Sequence, residues 1–296
     1  MKQAVLVTAY TNFSHLDVLT DSLSPDYNFY IHIDKKCNFS PQDIKKLSGK
    51  DNVAFISSQY KVNWGSINHL KAILLLLKKS FENPANEYFH LITGHDFPIK
   101  SSDEIISFLE DNNGKDFLEY NKLPYNKWDN GGYDRILYYH LYDCLNGRKG
   151  WRNTLIKKLV GIQKRLGIKR KFPQDFPHAI YGGSTYWSLS RKSTGYILDF
   201  TENNTWYLKR FKYTFCSEEI FIQTLLLNSP QRNMCINDNK RYIVWEPRNG
   251  NFPANLDESD YDDIVASDAF FARKFEPEIS STLIKKIKDK TGGIPS

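Results

Sequence analysis

The chain has 296 residues, of which 41% are hydrophobic and 15% aromatic, a composition that supports a sizeable core and excludes a disordered chain. Its formal net charge of +6 is uneven: residues 121–175 hold 13 Lys or Arg against 4 Asp, a local balance of +9 that leaves −3 for the remainder. Basicity therefore belongs to one segment, and no nucleic-acid-binding module with aromatics interleaved on a basic face accompanies it.

The opening MKQAVLVTAY reads as a first strand over Ala4–Thr8, with too short an apolar stretch for a signal peptide. A helix is predicted over Phe13–Leu23, a strand over Tyr27–Asp34, and a short helix capped by Ser40-Pro41. Val53–Ile56 reads as a strand, Ser66–Phe81 as a long amphipathic helix, and Tyr88–Thr93 as a strand stopped by Gly94. Ser101 and Glu104 have capping-box spacing and open a helix to Leu109, with a further strand at Lys115–Tyr120. Strands alternating with helices predict an α/β fold with a mostly parallel central sheet flanked by helices. Ligands of such sheets sit beyond the carboxyl ends of the strands. Here those ends are polar: Thr8–Asn12, Asp34–Lys36, Gly94–Pro98 and Glu119–Lys122.

Next comes a basic stretch, Trp151–Phe172, without one acidic residue. Leu155, Leu159, Ile162 and Leu166 share a helical face, with Lys157, Lys158, Lys164, Arg165 and Arg170 mostly elsewhere. Two readings follow: a helix packed on the core with a solvated basic face, or a surface helix over Arg152–Lys171 that docks on an anionic membrane. Gly183–Leu189 reads as a strand and Arg191–Phe200 as a helix; Ser217 reads as the N-cap of a helix over Glu218–Leu227. Arg241–Trp245 and Ala269–Phe275 read as short strands, and Pro277–Lys290 as a closing helix. No repeat or low-complexity linker interrupts the chain, so a single domain over 1–296 is expected.

No apolar run approaches the roughly 20 residues that cross a bilayer, and the expected location is cytoplasmic, with peripheral contact on the inner face of the membrane. The 4 cysteines are widely spaced and form no CxxC, so neither a zinc site nor a disulfide framework is indicated. Nucleotide-binding glycine motifs, GxSxG and HExxH are absent. The one Asp-x-Asp, Asp260-Tyr261-Asp262, lies at an acidic helix start, where carboxylates complement the dipole.

Six motifs occur in order: YIHID (Tyr30–Asp34), NWGSINHLKA (Asn63–Ala72), LITGHDFPIK (Leu91–Lys100), GSTYWSLSR (Gly183–Arg191), SEEIFIQTL (Ser217–Leu225) and FARKF (Phe271–Phe275). Together they resemble the core-2/I-branching β-1,6-N-acetylglucosaminyltransferase family, family-14 glycosyltransferases that include protein xylosyltransferases. The resemblance runs nearly end to end. It implies a GT-A type fold, an inverting mechanism, a UDP-sugar donor, a glycan or lipid-linked glycan acceptor, and no metal or other cofactor. The chain looks like a compact bacterial member without the anchor and stem of animal members. Residues 1–120 would then form a nucleotide-sugar-binding half. Residues 121–296 would form an acceptor-binding and catalytic half, with a basic insertion at 150–172.

Residue by residue, Glu219 of Ser217-Glu218-Glu219 matches the family's general base, and a helix N-terminus would keep it ionised. Lys274 matches the basic residue that faces the diphosphate, with Arg273 beside it and Arg248 as a second cation. Asp34 matches the nucleoside-contacting carboxylate and Trp64 the aromatic against uracil; Thr8 and Asp96 complete the donor wall. Glu119 matches an acceptor-binding glutamate, with Glu218 and the sugar-stacking rings Trp187 and Trp245 beside it. The competing reading is a non-catalytic nucleotide-sugar or glycan-binding protein on the same fold.

Overall fold

A computed structural model describes residues 1–148 and 150–292. Strands β1 (Lys2–Ala9), β2 (Tyr27–Ile33), β3 (Val53–Ser57) and β4 (Asn86–Thr93) alternate with helices α1 (Phe13–Thr20), α2 (Pro41–Ser48) and α3 (Ile67–Phe81). There follow β5 (Asp96–Pro98), α4 (Ser102–Asp111), β6 (Asp116–Leu118), β7 (Asn121–Lys122), α5 (Tyr133–Leu137) and α6 (Gly150–Arg165). The next elements are β8 (Tyr181–Gly182), β9 (Trp187–Ser190), α7 (Arg191–Asn203), α8 (Thr205–Phe211) and α9 (Phe221–Leu227). The chain closes with β10 (Cys235–Ile236), β11 (Arg241–Ile243), α10 (Tyr261–Ala266), β12 (Phe271–Arg273) and α11 (Pro277–Thr291).

The main sheet has the order β10-β6-β9-β4-β1-β2-β3. It is mostly parallel, as the alternation of strands and helices predicts; β9 alone runs antiparallel to both neighbours, β4 and β6. Strand β1 shows why its apolar run is continuous. Ala4 and Leu6 join one core with α3, α7, α8 and α9, while Val5, Val7 and Ala9 join a second core with α1, α4 and α11. Both sheet faces are covered, so every position in the run is buried. The predicted caps at Ser40 and Ser101 are formed, each as a reciprocal capping box, with Asp43 and Glu104.

From β1 the chain steps to β2 on one side and, later, to β4 on the other. That reversal opens a crevice beyond the carboxyl ends of these strands. A second sheet, β11-β12-β5, pairs Arg273 of β12 with Asp96 of β5 and thereby brings the FARKF segment to the same end.

Three local expectations are revised. The segment at Ser217 is not the start of one helix. Ser217–Glu219 forms a single 3₁₀ turn, Ile220 leaves helical geometry, and α9 begins only at Phe221. The Ser217 hydroxyl is buried without a hydrogen-bond partner, so it caps nothing. The strand expected over Gly183–Leu189 is shorter: Gly183–Tyr186 is a loop after β8, and β9 covers only Trp187–Ser190. The basic helix, finally, ends at Arg165, and the face that it packs on the core is not the Leu face that the packed-helix reading expects. Ile156 and Val160 are its core contacts, while Leu155, Ile162 and Leu166 are exposed and Leu159 is half-buried. Arg170 is not on a docking face at all. It is buried, its guanidinium donates to Ile136 O (3.3 Å), Lys212 O (2.6 Å) and Thr214 Oγ1 (2.9 Å), and burial lowers its pKa to about 10.

Candidate active site

A cleft of about 880 Å³ occupies the crevice at the strand ends. Its size suits a nucleotide-sugar-sized ligand. Nine of the sequence-predicted site residues line it: Thr8, Asp34, Trp64, Glu119, Glu218, Glu219, Trp245, Arg273 and Lys274.

The end of β2 places Asp34, whose Oδ1 accepts from the backbone N–H groups of Lys36 (3.0 Å) and Val62 (3.1 Å). These bonds fold the Lys61–Gly65 segment over the strand end and bring Trp64 to the cleft. Trp64 is 46% exposed and is held edge-on by Tyr142 and Phe215, with ring centroids at 5.6 and 5.0 Å. It is a lining ring with a free face, not a core ring. Gly65 follows it at φ +75°, and a Cβ there would meet the Phe215 ring at 2.6 Å; only glycine fits this turn. From α3, His69 donates through Nδ1 to Glu218 Oε1 (3.1 Å), which leaves Nε2 facing Thr8 Oγ1 at 3.3 Å. Glu218 is buried and its Oε2 has no partner.

Glu219 stands at the cleft wall, hydrogen-bonded through Oε2 to Arg135 Nη1. Ile220 separates the Ser217–Glu219 turn from α9, so Glu219 is not in the first turn of a helix. Burial dominates and raises its pKa to about 7; Arg135 pulls it down and Glu218 pushes it up. Arg135 in turn lies 3.6 Å over the Trp128 ring. The GS motif now has a physical role. Gly183 N donates to Glu219 O (2.9 Å), and a Cβ on Gly183 would meet Glu119 O at 1.9 Å. Glycine therefore lets the Glu119 and Glu219 segments approach from opposite sides of the same loop. Burial also raises the pKa of Glu119.

The cleft also has a cationic wall. Arg273 lies 4.4 Å over Tyr186 and pairs through Nε with Asp96 at 3.5 Å. Lys274 donates to Asn251 Oδ1 (3.2 Å), and burial with Arg273 and Arg148 nearby lowers its pKa to about 8. Arg148, over Tyr10 at 5.2 Å, also lines this wall.

Three predicted site residues lie elsewhere. Asp96 is buried beneath the wall, where it accepts from Thr93 N (2.7 Å) and Thr93 Oγ1 (3.0 Å) and orients Arg273. Trp187 is fully buried in the core, because β9 turns it to the face covered by α3, α7, α8 and α9. Arg248 is clamped by Asp260 through Nη2 at 2.5 and 2.7 Å and does not line the cleft. This pair also engages the first carboxylate of the Asp-x-Asp. Among the described residues, no three His, Cys, Asp or Glu side chains converge as a metal site.

Sequence reasoning missed His69, Arg135, Arg148 and Tyr186. His69 lies inside NWGSINHLKA, three residues into the helix that the motif opens. Arg148 falls in the basic segment, where only its charge was visible. Arg135 lies outside all six motifs, so it carried no signal.

The description Core-2/I-Branching enzyme matches residues 5–265. Xylosyltransferase 1 of Rattus norvegicus is 25% identical over 281 residues, covering 88% of this chain and 32% of its own length. Xylosyltransferase 2 of Canis lupus familiaris is 26% identical over 277 residues, covering 87% and 30% respectively. The chain thus spans about a third of the length of these relatives. Among solved structures, S. aureus TarS 1-349 aligns over 98% of this chain and 65% of its own, at 10% identity and a TM-score of 0.41. No helix of the described residues is long and apolar enough to cross a membrane. With the family description matching from residue 5 to residue 265, the chain belongs to the Core-2/I-Branching enzyme family of glycosyltransferases.

Proposed function

We propose that the chain is an inverting glycosyltransferase that moves a sugar such as N-acetylglucosamine or xylose from a UDP-sugar to a glycan hydroxyl, without a metal ion. The observation that carries this reading is that one cleft is lined both by a carboxylate raised to about 7, Glu219, and by the cations Arg148, Arg273 and Lys274.

In this reading Asp34 and Trp64 hold the uridine, Trp64 by its free face. The cationic wall receives the diphosphate. Glu119 and Trp245 flank the acceptor, whose hydroxyl gives its proton to the Glu219 carboxylate as the oxygen attacks the anomeric carbon. The bond from that carbon to the β-phosphate oxygen breaks, and the electron pair leaves with UDP. Two needs follow. The base must be ionised yet basic enough to take a proton near neutral pH, which a raised carboxylate satisfies. The charge growing on the β-phosphate must be met by preorganised cations, which Arg273 and Lys274 supply. Residues 1–120 thus hold the nucleoside, and residues 121–296 supply the base, the cations and most of the acceptor side.

The test is a calorimetric screen of UDP-sugars, followed by UDP release from whichever binds, with glycan acceptors or water as the attacking oxygen. Binding and release that persist in excess EDTA support the proposal. Release that EDTA abolishes and manganese restores rejects metal independence. Binding without release under any acceptor favours the non-catalytic reading.

A further inference from the structure

Helix α6 carries two apolar stripes, and only one is used by the fold. Ile156 and Val160 face the core. The attachment is completed by Tyr142, whose hydroxyl donates to Asn153 Oδ1 (2.8 Å), and by Gln163, which accepts from Tyr139 N (2.9 Å) and donates to Tyr139 O (3.0 Å). The other stripe consists of Trp151 (66% exposed), Leu155 (39%), Ile162 (52%) and Leu166 (66%). At 100° per residue these four fall within about 60° of one another. They form a continuous outward ridge, not scattered surface hydrophobics. Lys158 and Arg165 border it on one side, and no acidic residue occurs between Trp151 and Phe172.

We propose that this ridge is a peripheral docking surface for an anionic lipid bilayer. Its chemistry selects that occupant. A Trp/Leu/Ile ridge rimmed by Lys and Arg is the pattern of helices that lie in the headgroup plane, with the apolar side in the acyl boundary and the cations at the phosphates. A second copy of this chain is disfavoured, because a twofold contact through the ridge would bring Lys158 and Arg165 against the same charges on its mate. The helix is also held rigidly to the body, so the ridge is preformed. Its first exposed ring, Trp151, is three residues from the cleft-lining Arg148, at most about 11 Å along the chain. A docked protein therefore holds its cleft at the bilayer surface, within reach of an acceptor carried by a lipid. The surface stands independently of the catalytic reading, since vesicle binding and nucleotide binding are measured separately.

The experiment is co-sedimentation of the full chain with vesicles of phosphatidylglycerol and phosphatidylcholine, against vesicles of phosphatidylcholine alone. Binding is expected to the anionic vesicles only, and to fade between about 50 and 500 mM salt as the Debye length shrinks. Lys158→Glu/Arg165→Glu should lower partitioning by at least about 25-fold, since each cation near the surface contributes roughly a factor of five. Ile162→Ser/Leu166→Ser should abolish it at all salt concentrations, with thermal stability and UDP affinity unchanged in both variants. Failure to bind anionic vesicles at low salt overturns the proposal, as does binding that survives either variant. A dimer in sedimentation velocity that Ile162→Ser/Leu166→Ser dissolves, without vesicle binding, assigns the ridge to a second copy and also overturns it.

Discussion

Arg135 donates from Nη1 to Glu219 Oε2 while its guanidinium rests 3.6 Å over Trp128. Arg135 therefore favours the ionised form of the proposed base, against the burial that raises its pKa. A base must be deprotonated to act, so turnover should fall as pH drops below about 7. Arg135→Ala removes the cation that lowers Glu219 and should move this acid limb to higher pH. A pH–rate profile of UDP release checks it; an unmoved limb in Arg135→Ala would exclude Glu219 as the titrating group.

Lys274 gives a second limb with the opposite sign. Its pKa of about 8 means that it loses its charge in the free protein as pH rises through that value. UDP affinity should therefore weaken above about pH 8, and uridine affinity should not. Lys274→Arg, whose guanidinium stays charged, should flatten the UDP profile. Calorimetry with UDP and uridine across pH 6–9 reads both; parallel profiles for the two ligands would remove Lys274 from the diphosphate site.

Trp64 presents a free ring face. Trp64→Ala should raise the donor KM by the worth of one base–aromatic stack, roughly 1–3 kcal/mol, with kcat little changed. Unaltered UDP affinity would separate this ring from the nucleoside.

Trp187 and Trp245 should part company on mutation. Trp187 is fully buried in the core, so Trp187→Ala should cost about 3–5 kcal/mol of stability. Trp245 is exposed, and Trp245→Ala should stay within about 0.5 kcal/mol while weakening acceptor binding. Denaturant unfolding of both variants makes the comparison; a stable Trp187→Ala would mean that β9 is assigned the wrong face.

The contrast between Trp187 and Tyr186 shows where the sequence stops being informative. A strand is legible in GSTYWSL, but not where it begins. β9 starts only at Trp187, so Tyr186 stays in the preceding loop and supports Arg273 while Trp187 enters the core. Helix α6 poses a problem of phase at a period of 3.6: two apolar stripes are present, and only packing on Tyr139 and Tyr142 selects Ile156 and Val160. The exchange of Arg248 for Arg148 has another cause. Both are basic residues in loops, and the choice depends on Asp260, a partner brought to Arg248 by tertiary structure. By contrast, the continuous β-branched runs, the Ser-x-x-Asp/Glu caps and the ordered motifs are local signals. The first two led correctly to the sheet and its polar strand ends; the motifs, through the resemblance they carry, named Asp34, Trp64, Glu119, Glu219 and Lys274, which line one cleft.

Glu219→Gln separates catalysis from binding most directly, since it keeps the shape of the side chain and removes its capacity to accept a proton. UDP release from the bound UDP-sugar, measured beside UDP affinity on the same preparation, should drop by about 10²–10⁴ with affinity and melting temperature near wild type. Wild-type turnover in Glu219→Gln would refute its assignment as the base.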